Sequence, residues 1–236
     1  MARPDGVVIV SEGFWAFAGT DGTLREGEMT QPSPRFTRLP LVRGLFRLCA
    51  AMSPLFRRIG VTRGRERVFL ALALLAPVGL AFAPEEIGLW GGLFVTAALI
   101  VWLFRGRTLN LHGAEHRAIA AAEDRRLSAT WAGAALPSRF AARCGTNFAA
   151  LAVSITLLAG HFWPAAPAFY TPVLVTVLSL ALTMELWRLV QSARGWRRIF
   201  LAPGLALQRL TTREPTLAET RVALVAVASV LRRELG

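Results

Sequence analysis

Residues 87–104 read IGLWGGLFVTAALIVWLF, an unbroken apolar run with no charged position. Hydrocarbon offers a backbone no hydrogen-bond partners, so such a run has to pair its own N–H and C=O groups as a helix. Its length is close to the roughly 20 residues that cross a bilayer core. Working outward, three further blocks of the same kind lie at residues 68–83, 148–166 and 170–187. The first two blocks in chain order meet at Pro84-Glu85-Glu86, and the last two meet at a neutral, proline-containing turn. Block 68–83 is the shortest and holds Pro77, which predicts a tilt or a kink there. The expectation is a mainly α polytopic membrane bundle over residues 68–187, with about four spans in two hairpins.

Charge sets the expected orientation. The chain carries a net charge of +12, and all 27 basic residues are arginine. A basic surface is the electrostatic signature of nucleic-acid binding, but here the arginines flank the apolar blocks. Residues 1–67 hold 11 Arg against 6 acids, residues 105–147 hold 7 against 3, and residues 188–236 hold 9 against 3. The two hairpin turns hold none. The positive-inside rule then places all three basic regions and both termini in the cytoplasm of a multi-pass inner-membrane protein. The expected partner is the lipid bilayer, with a membrane-protein partner or a second copy of the chain beside it, and no nucleic acid. Cys49 and Cys144 fall in the cytoplasmic regions, so no disulfide is expected. The first thirty residues lack the apolar core of a cleavable signal.

Residues 1–40 read as a β-rich segment and a linker. Val7 to Val10 is β-branched, Trp15 to Phe17 is apolar, and Thr20-Asp21-Gly22 is a hairpin turn. Pro32, Pro34 and Pro40 mark the linker. Residues 41–67 place Leu41, Leu45, Leu48 and Met52 on one helical face beside Arg43, Arg47 and Arg57, which suits either the membrane interface or packing on the bundle. After the last block, Trp196 to Leu210 has an interfacial or re-entrant composition around Pro203-Gly204. Thr216 and Glu219 then form a capping box after Pro215. The helix they open should align Leu217, Leu224, Val227 and Leu231 along one seam.

The central loop carries the chemistry. His112-Gly113-Ala114-Glu115-His116 has the H-x-x-E-H spacing, which puts two imidazoles on one helical face, roughly 6 Å apart at Cβ, with a carboxylate beside them. That is a ligand pair for zinc with Glu115 able to act on a bound water. Glu123, two turns further along the same face, and Cys144 in Arg143-Cys144-Gly145-Thr146 are the candidates to complete the ligand set. The bland alternative is a polar juxtamembrane helix whose histidines bind backbone or lipid phosphate, with Glu115 and His116 tied to arginines such as Arg143. Glu185, near the cytoplasmic end of the last block, is an ionisable group at a membrane edge and could pair with Arg188.

These motifs resemble the YqhQ-like family of bacterial membrane proteins. The resemblance runs through Leu39-Pro40-Leu41-Val42-Arg43-Gly44, His112-Gly113-Ala114-Glu115-His116-Arg117 with Glu123, and Arg143-Cys144-Gly145-Thr146. It continues through Glu185 ahead of Arg188-Leu189, then Ala202-Pro203-Gly204-Leu205 and the run from Gln208 through Thr211, Thr212 and Arg213 to Pro215. It implies a metal-dependent enzyme of unknown substrate. The chain departs from the family pattern at Ala141-Ala142, where His-Pro usually stands, and at Phe14 to Phe17 after Glu12-Gly13. Two functions follow. One is a membrane-embedded, zinc-dependent hydrolase in which His112, His116 and Glu123 or Cys144 hold the metal and Glu115 is the base. The other is a non-catalytic membrane scaffold or assembly subunit that docks a partner. A transporter fits less well, because the spans hold almost no charge.

Overall fold

In the computed structural model of this chain the described residues are 1–31, 38–57, 60–80, 82–164, 169–191 and 199–236, with 77, 85 and 103 described for backbone only. The Pro32 and Pro34 part of the linker, the tip of the second hairpin at 165–168 and Trp196 lie outside them. The rest is mainly helical with a small N-terminal sheet, and it divides into two compact units.

The first unit joins residues 1–31, 104–147 and the described part of 193–236. Four strands, β1 (Ala2–Arg3), β2 (Gly6–Val10), β3 (Phe14–Gly19) and β4 (Leu24–Glu28), form an antiparallel meander in chain order. The expected turn at Thr20 to Gly22 closes β3 onto β4, and Gly22 takes the positive φ of 84° that the turn needs. Alternation splits the sheet into two faces. Val7, Ile9, Ala16 and Ala18 point into a core with helix α4 (Thr108–Glu123) and helix α9 (Leu217–Leu235). On the other face Trp15 and Phe17 lie flat across Gly27 and Gly6, where an added Cβ would come within 2.6 Å of each ring.

Helix α4 contributes Leu111, Ala114, Ala118 and Ala121 to this core, and α9 contributes Ala223, Leu224, Ala226, Val227 and Val230. Alanine at those positions lets the two helices and the sheet approach closely, as interior packing density requires. The capping box forms as expected, with Glu219 N–H donating to Thr216 Oγ1 at 3.2 Å and Thr216 N–H to Glu219 Oε2 at 2.9 Å. The expected seam is only partly right. Leu224 and Val227 are buried, but Leu217 is exposed, because the close approach selects the small residues 223 and 226 instead.

The second unit contains α1 (Val42–Phe56), α2 (Gly64–Leu80), most of α3 (Glu85–Phe104), most of α6 (Gly145–His161) and α7 (Thr171–Gln191). The short α5 (Leu127–Trp131) and α8 (Ala202–Thr211) belong to the first unit. Helices α2, α3, α6 and α7 occupy most of the described residues of the four apolar blocks, and α2 starts early enough to include Arg65, Glu66 and Arg67. Among the described residues one helix, Thr171–Gln191, is long and apolar enough to cross a membrane, with a mean hydropathy of 1.8; Glu86–Trp102 and Gly145–His161 are shorter apolar helices. Helix α1 packs on α7 rather than standing alone. Gly44 sits where a Cβ would meet Met184 Cβ at 2.7 Å, and Arg43 grips Glu185 through two bonds of 2.7 and 2.6 Å. Arg188 adds the expected i, i+3 contact at 3.4 Å.

Candidate metal centre

Helix α4 has two working faces. Leu111, Ala114, Ala118 and Ala121 fall on one, and His112 and His116 project from the other, as a 3.6-residue period dictates. The two imidazoles stand edge to face with ring centroids 4.5 Å apart. Gly113, between them on the chain, is forced. An added Cβ there would lie 2.2 Å from the Arg213 carbonyl oxygen, so glycine alone lets the segment after α8 run against α4. Arg213 N–H then donates to Leu109 O at 3.0 Å, which brings the end of α8 over His112.

Backbone carbonyls fix both tautomers. His112 Nδ1 lies 2.8 Å from Thr211 O, and His116 Nδ1 lies 2.7 Å from Arg139 O. A carbonyl only accepts, so each Nδ1 carries a proton, and it is Nε2 that bears the lone pair whenever the ring is neutral. This is how protein metal sites orient imidazole ligands. The carbonyl partners are themselves held. Arg117, buried in the first unit, donates to Pro137 O at 3.1 Å and to Glu214 Oε1 at 2.5 Å, tying together the two segments that supply Arg139 O and Thr211 O.

The third group is Cys144, buried at 3% exposure, with Sγ 3.3 Å from His112 Nε2. It stands just before the N-terminus of α6, and Thr146 N–H points at the sulfur from 3.4 Å. Burial pushes the Cys144 thiol up, but hydrogen bonds from His112 and His116 outweigh it and bring it down to about 5. For His112, burial works toward the neutral form, while the bond to Cys144 and the charge of Glu115 prevail and raise it above its ordinary value. One ring nitrogen each of His112 and His116 and the Cys144 Sγ all lie within 4.8 Å of one another. Ligands on a tetrahedral zinc with bonds of about 2.0–2.3 Å stand roughly 3.3–3.8 Å apart, so small side-chain adjustments close the set. The donor set, two imidazoles and a thiolate, is the chemistry a borderline-soft divalent ion prefers.

Glu115 lies beside this group at 13% side-chain exposure. Its Oε1 accepts from the Met1 ammonium at 2.5 Å, while Oε2 is buried with no hydrogen-bond partner. Burial raises its pKa, and the ammonium together with His112 and His116 pulls it below the usual carboxylate value. An ionised buried oxygen without a donor is costly unless something polar or charged meets it, which fits a bound cation or its water.

Of the sequence candidates, His112, His116 and Cys144 converge, Glu115 stands adjacent, and Glu123 does not join them. Glu123 is exposed and pairs with Arg143 at 3.6 Å. It shares the helical face of His116, but seven residues carry it about 10 Å along the axis, too far for a common ion. The bland alternative holds in one part, since both histidines bind backbone carbonyls, while Arg143 pairs with Glu123 instead of Glu115 or His116. Ala141, where the third imidazole is missing, offers backbone N–H and C=O to Gln208 and Asn147. Reasoning from sequence missed the Thr211 and Arg139 carbonyls and Arg117. Only the charged Arg117 directly after His116 offered a signal.

The family model described as "Protein of unknown function (DUF1385)" matches residues 93–233. The match covers more than half of the chain and every residue of the centre, so the chain belongs to this family. No curated protein and no solved structure matches it.

Proposed function

We propose that this chain is a multi-pass inner-membrane protein that binds Zn²⁺ through His112, His116 and Cys144 at the cytoplasmic membrane surface and uses it for hydrolysis. The observation that carries the metal is the pair of Nδ1–H groups spent on carbonyls, which leaves Nε2 of each ring as the ligand atom, beside a buried cysteine in a cluster whose ligand atoms lie within 4.8 Å of one another. Three protein ligands leave one coordination position open, the arrangement of catalytic rather than structural zinc. Zinc supplies there an activated water, ionised near neutral pH. Glu115, whose Oε2 is buried without a donor among the described residues, would be the base for that water. The resemblance to YqhQ-like membrane proteins supports the same reading.

The four-span part of the proposal rests on exposure. Leu72, Leu75, Trp90, Phe94, Val101 and Leu157, from three of the apolar helices, are each more than 60% exposed. A water-soluble chain rarely leaves apolar surface on that scale uncovered, whereas lipid tails accept it. One-sided arginine then supports both termini in the cytoplasm.

Burial of His116 and Cys144 favours one second reading, a non-catalytic subunit whose zinc is structural and whose surface docks a membrane-protein partner or a second copy. Metal analysis of the purified wild type and of the His112→Ala/His116→Ala pair decides the first question. About one equivalent of zinc, lost in the double variant, is expected; less than about a tenth of an equivalent in the wild type would overturn the metal reading. Hydrolysis of lipid or peptide ester substrates that survives only in the zinc-loaded wild type separates the enzyme from the scaffold.

A further inference from the structure

Two motifs remain unexplained by ligand chemistry, the run that begins at Gln208 and the segment that ends in Arg143-Cys144-Gly145-Thr146. They meet in the first unit. Gln208 is fully buried, and its amide is completely used: Oε1 accepts from Ala141 N–H at 3.0 Å, and Nε2 donates to Ala141 O at 2.8 Å and to Asn147 Oδ1 at 2.9 Å. Asn147, equally buried, donates to Ala141 O at 3.0 Å and Ala142 O at 2.9 Å. Five hydrogen bonds from two side-chain amides thus pin both ends of a seven-residue segment, 141–147, whose one metal-ligating side chain is Cys144. Helix α8 is seated directly on this clamp, because a Cβ at Gly204 would lie 2.2 Å from Asn147 Oδ1.

The same helix ends at Thr211, whose carbonyl orients His112. Gln208 lies one turn before it. A shift of α8 would move the sulfur-bearing segment and the His112 acceptor together.

We propose that Gln208 is a positioning residue of the metal centre: through Ala141 and Asn147 it sets where Cys144 Sγ stands relative to the two imidazoles. The inference rests on the metal reading above. Buried amide networks of this kind act as a unit, since one missing partner leaves the others unsatisfied in a low-dielectric site. Partners behind the ligands of known metal sites alter affinity by about 10–100-fold when removed.

The test uses the full-length protein in detergent, loaded with Co²⁺ in place of zinc. Thiolate ligation gives a near-ultraviolet sulfur-to-cobalt charge-transfer band, and the visible ligand-field bands report coordination as a whole. Gln208→Leu removes both donor and acceptor; Gln208→Glu keeps the length and the acceptor for Ala141 N–H but loses the Nε2 donor. In both, the charge-transfer intensity per bound cobalt should fall, with affinity about 10–100-fold weaker, while the ligand-field bands from His112 and His116 persist. Gly204→Ala should reproduce the effect from the other side of the clamp. Wild-type charge-transfer intensity and affinity in folded Gln208→Leu and Gln208→Glu would overturn the positioning role alone. A wild type that shows no charge-transfer band would overturn the metal reading and this inference with it. Failure of both Gln208 variants to fold would also overturn it, by assigning the residue to the stability of the core.

Discussion

In the metal-free protein, Cys144 should titrate far below an ordinary thiol. Its pKa stands at about 5 against the usual 9.0. At about 1.4 kcal/mol per pK unit, that is a preference of about 5 kcal/mol for the thiolate in the fold over the thiolate in the unfolded chain. Burial opposes the shift, and the hydrogen bonds from His112, at 3.3 Å, and from His116, with the charges of both rings, outweigh it. Because the thiolate and the imidazolium stabilise each other, they titrate as a pair. The sign for stability follows from the direction. A depressed acid contributes nothing below about 5, gains as pH rises, and contributes fully above the unfolded thiol's pKa of about 8.5. His112, raised, works oppositely: its contribution is complete below about 6.5 and is lost as pH climbs through its raised value. The apo protein should therefore be most stable between these limits, near neutral pH. The assay is thiolate ultraviolet absorbance against pH, in a Cys49→Ser background because Cys49 is also a free thiol. The midpoint should lie near 5 and move toward the ordinary thiol range in His112→Ala. A wild-type midpoint above about 8, the range of a free cysteine, would refute the dyad.

Three further outcomes follow. Arg43→Ala should lower the stability of the second unit by about 1–3 kcal/mol, because it leaves Glu185, whose side chain is 18% exposed, without its two strongest bonds; a double-mutant cycle with Glu185→Gln, read by thermal melting, should show the two substitutions to be strongly non-additive, and independent effects would show the pair to be inert. Reporter fusions after Glu86 and Pro167 should read external and fusions at Arg126 and the C-terminus internal; an external Arg126 would reverse the topology. Gly113→Ala should cost about 1–3 kcal/mol and weaken zinc binding together, since its Cβ strikes the Arg213 carbonyl at 2.2 Å and pushes Thr211 O away from His112; a stable variant with unchanged zinc affinity would break that link.

The helix carrying His112 and His116 was legible because both signals it uses are local. Four-residue spacing places the imidazoles, and β-branched Val7 to Val10, apolar Trp15 to Phe17 and the Thr20-Asp21-Gly22 turn give the sheet. The choice between Glu123 and Cys144 was not legible. Both are chemically competent ligands, and what separates them is distance along an axis in one case and loop closure across residues 124–143 in the other. Spacing reports only the face, so Glu123 passed a test that an advance of about 10 Å defeats. The grip of Arg43 on Glu185, 142 residues apart, was invisible for the same reason, whereas Arg188 was found because it lies one turn away. In α9 the buried seam shifted to Ala223 and Ala226, since periodicity finds a face but not which of its residues the neighbour approaches most closely.

Helix α4 also shows why the site and the core have to be read together. Its alanine face is pressed against β2, β3 and α9, so its rotation about its own axis is set by packing that contains no chemistry. That rotation fixes the opposite face, and with it the directions of both Nε2 atoms. Residues 1–92 fall outside the matched region, yet Val7, Ile9, Ala16 and Ala18 come from them and belong to the core that orients α4. The remaining orientation comes from the far end of the chain, through α9 on the core side and the Thr211 carbonyl on the histidine side. A ligand pair local in sequence is thus aimed by contacts about a hundred residues away in both directions. Cys144 joins the pair from a third direction, on the segment 141–147 that Gln208 and Asn147 hold.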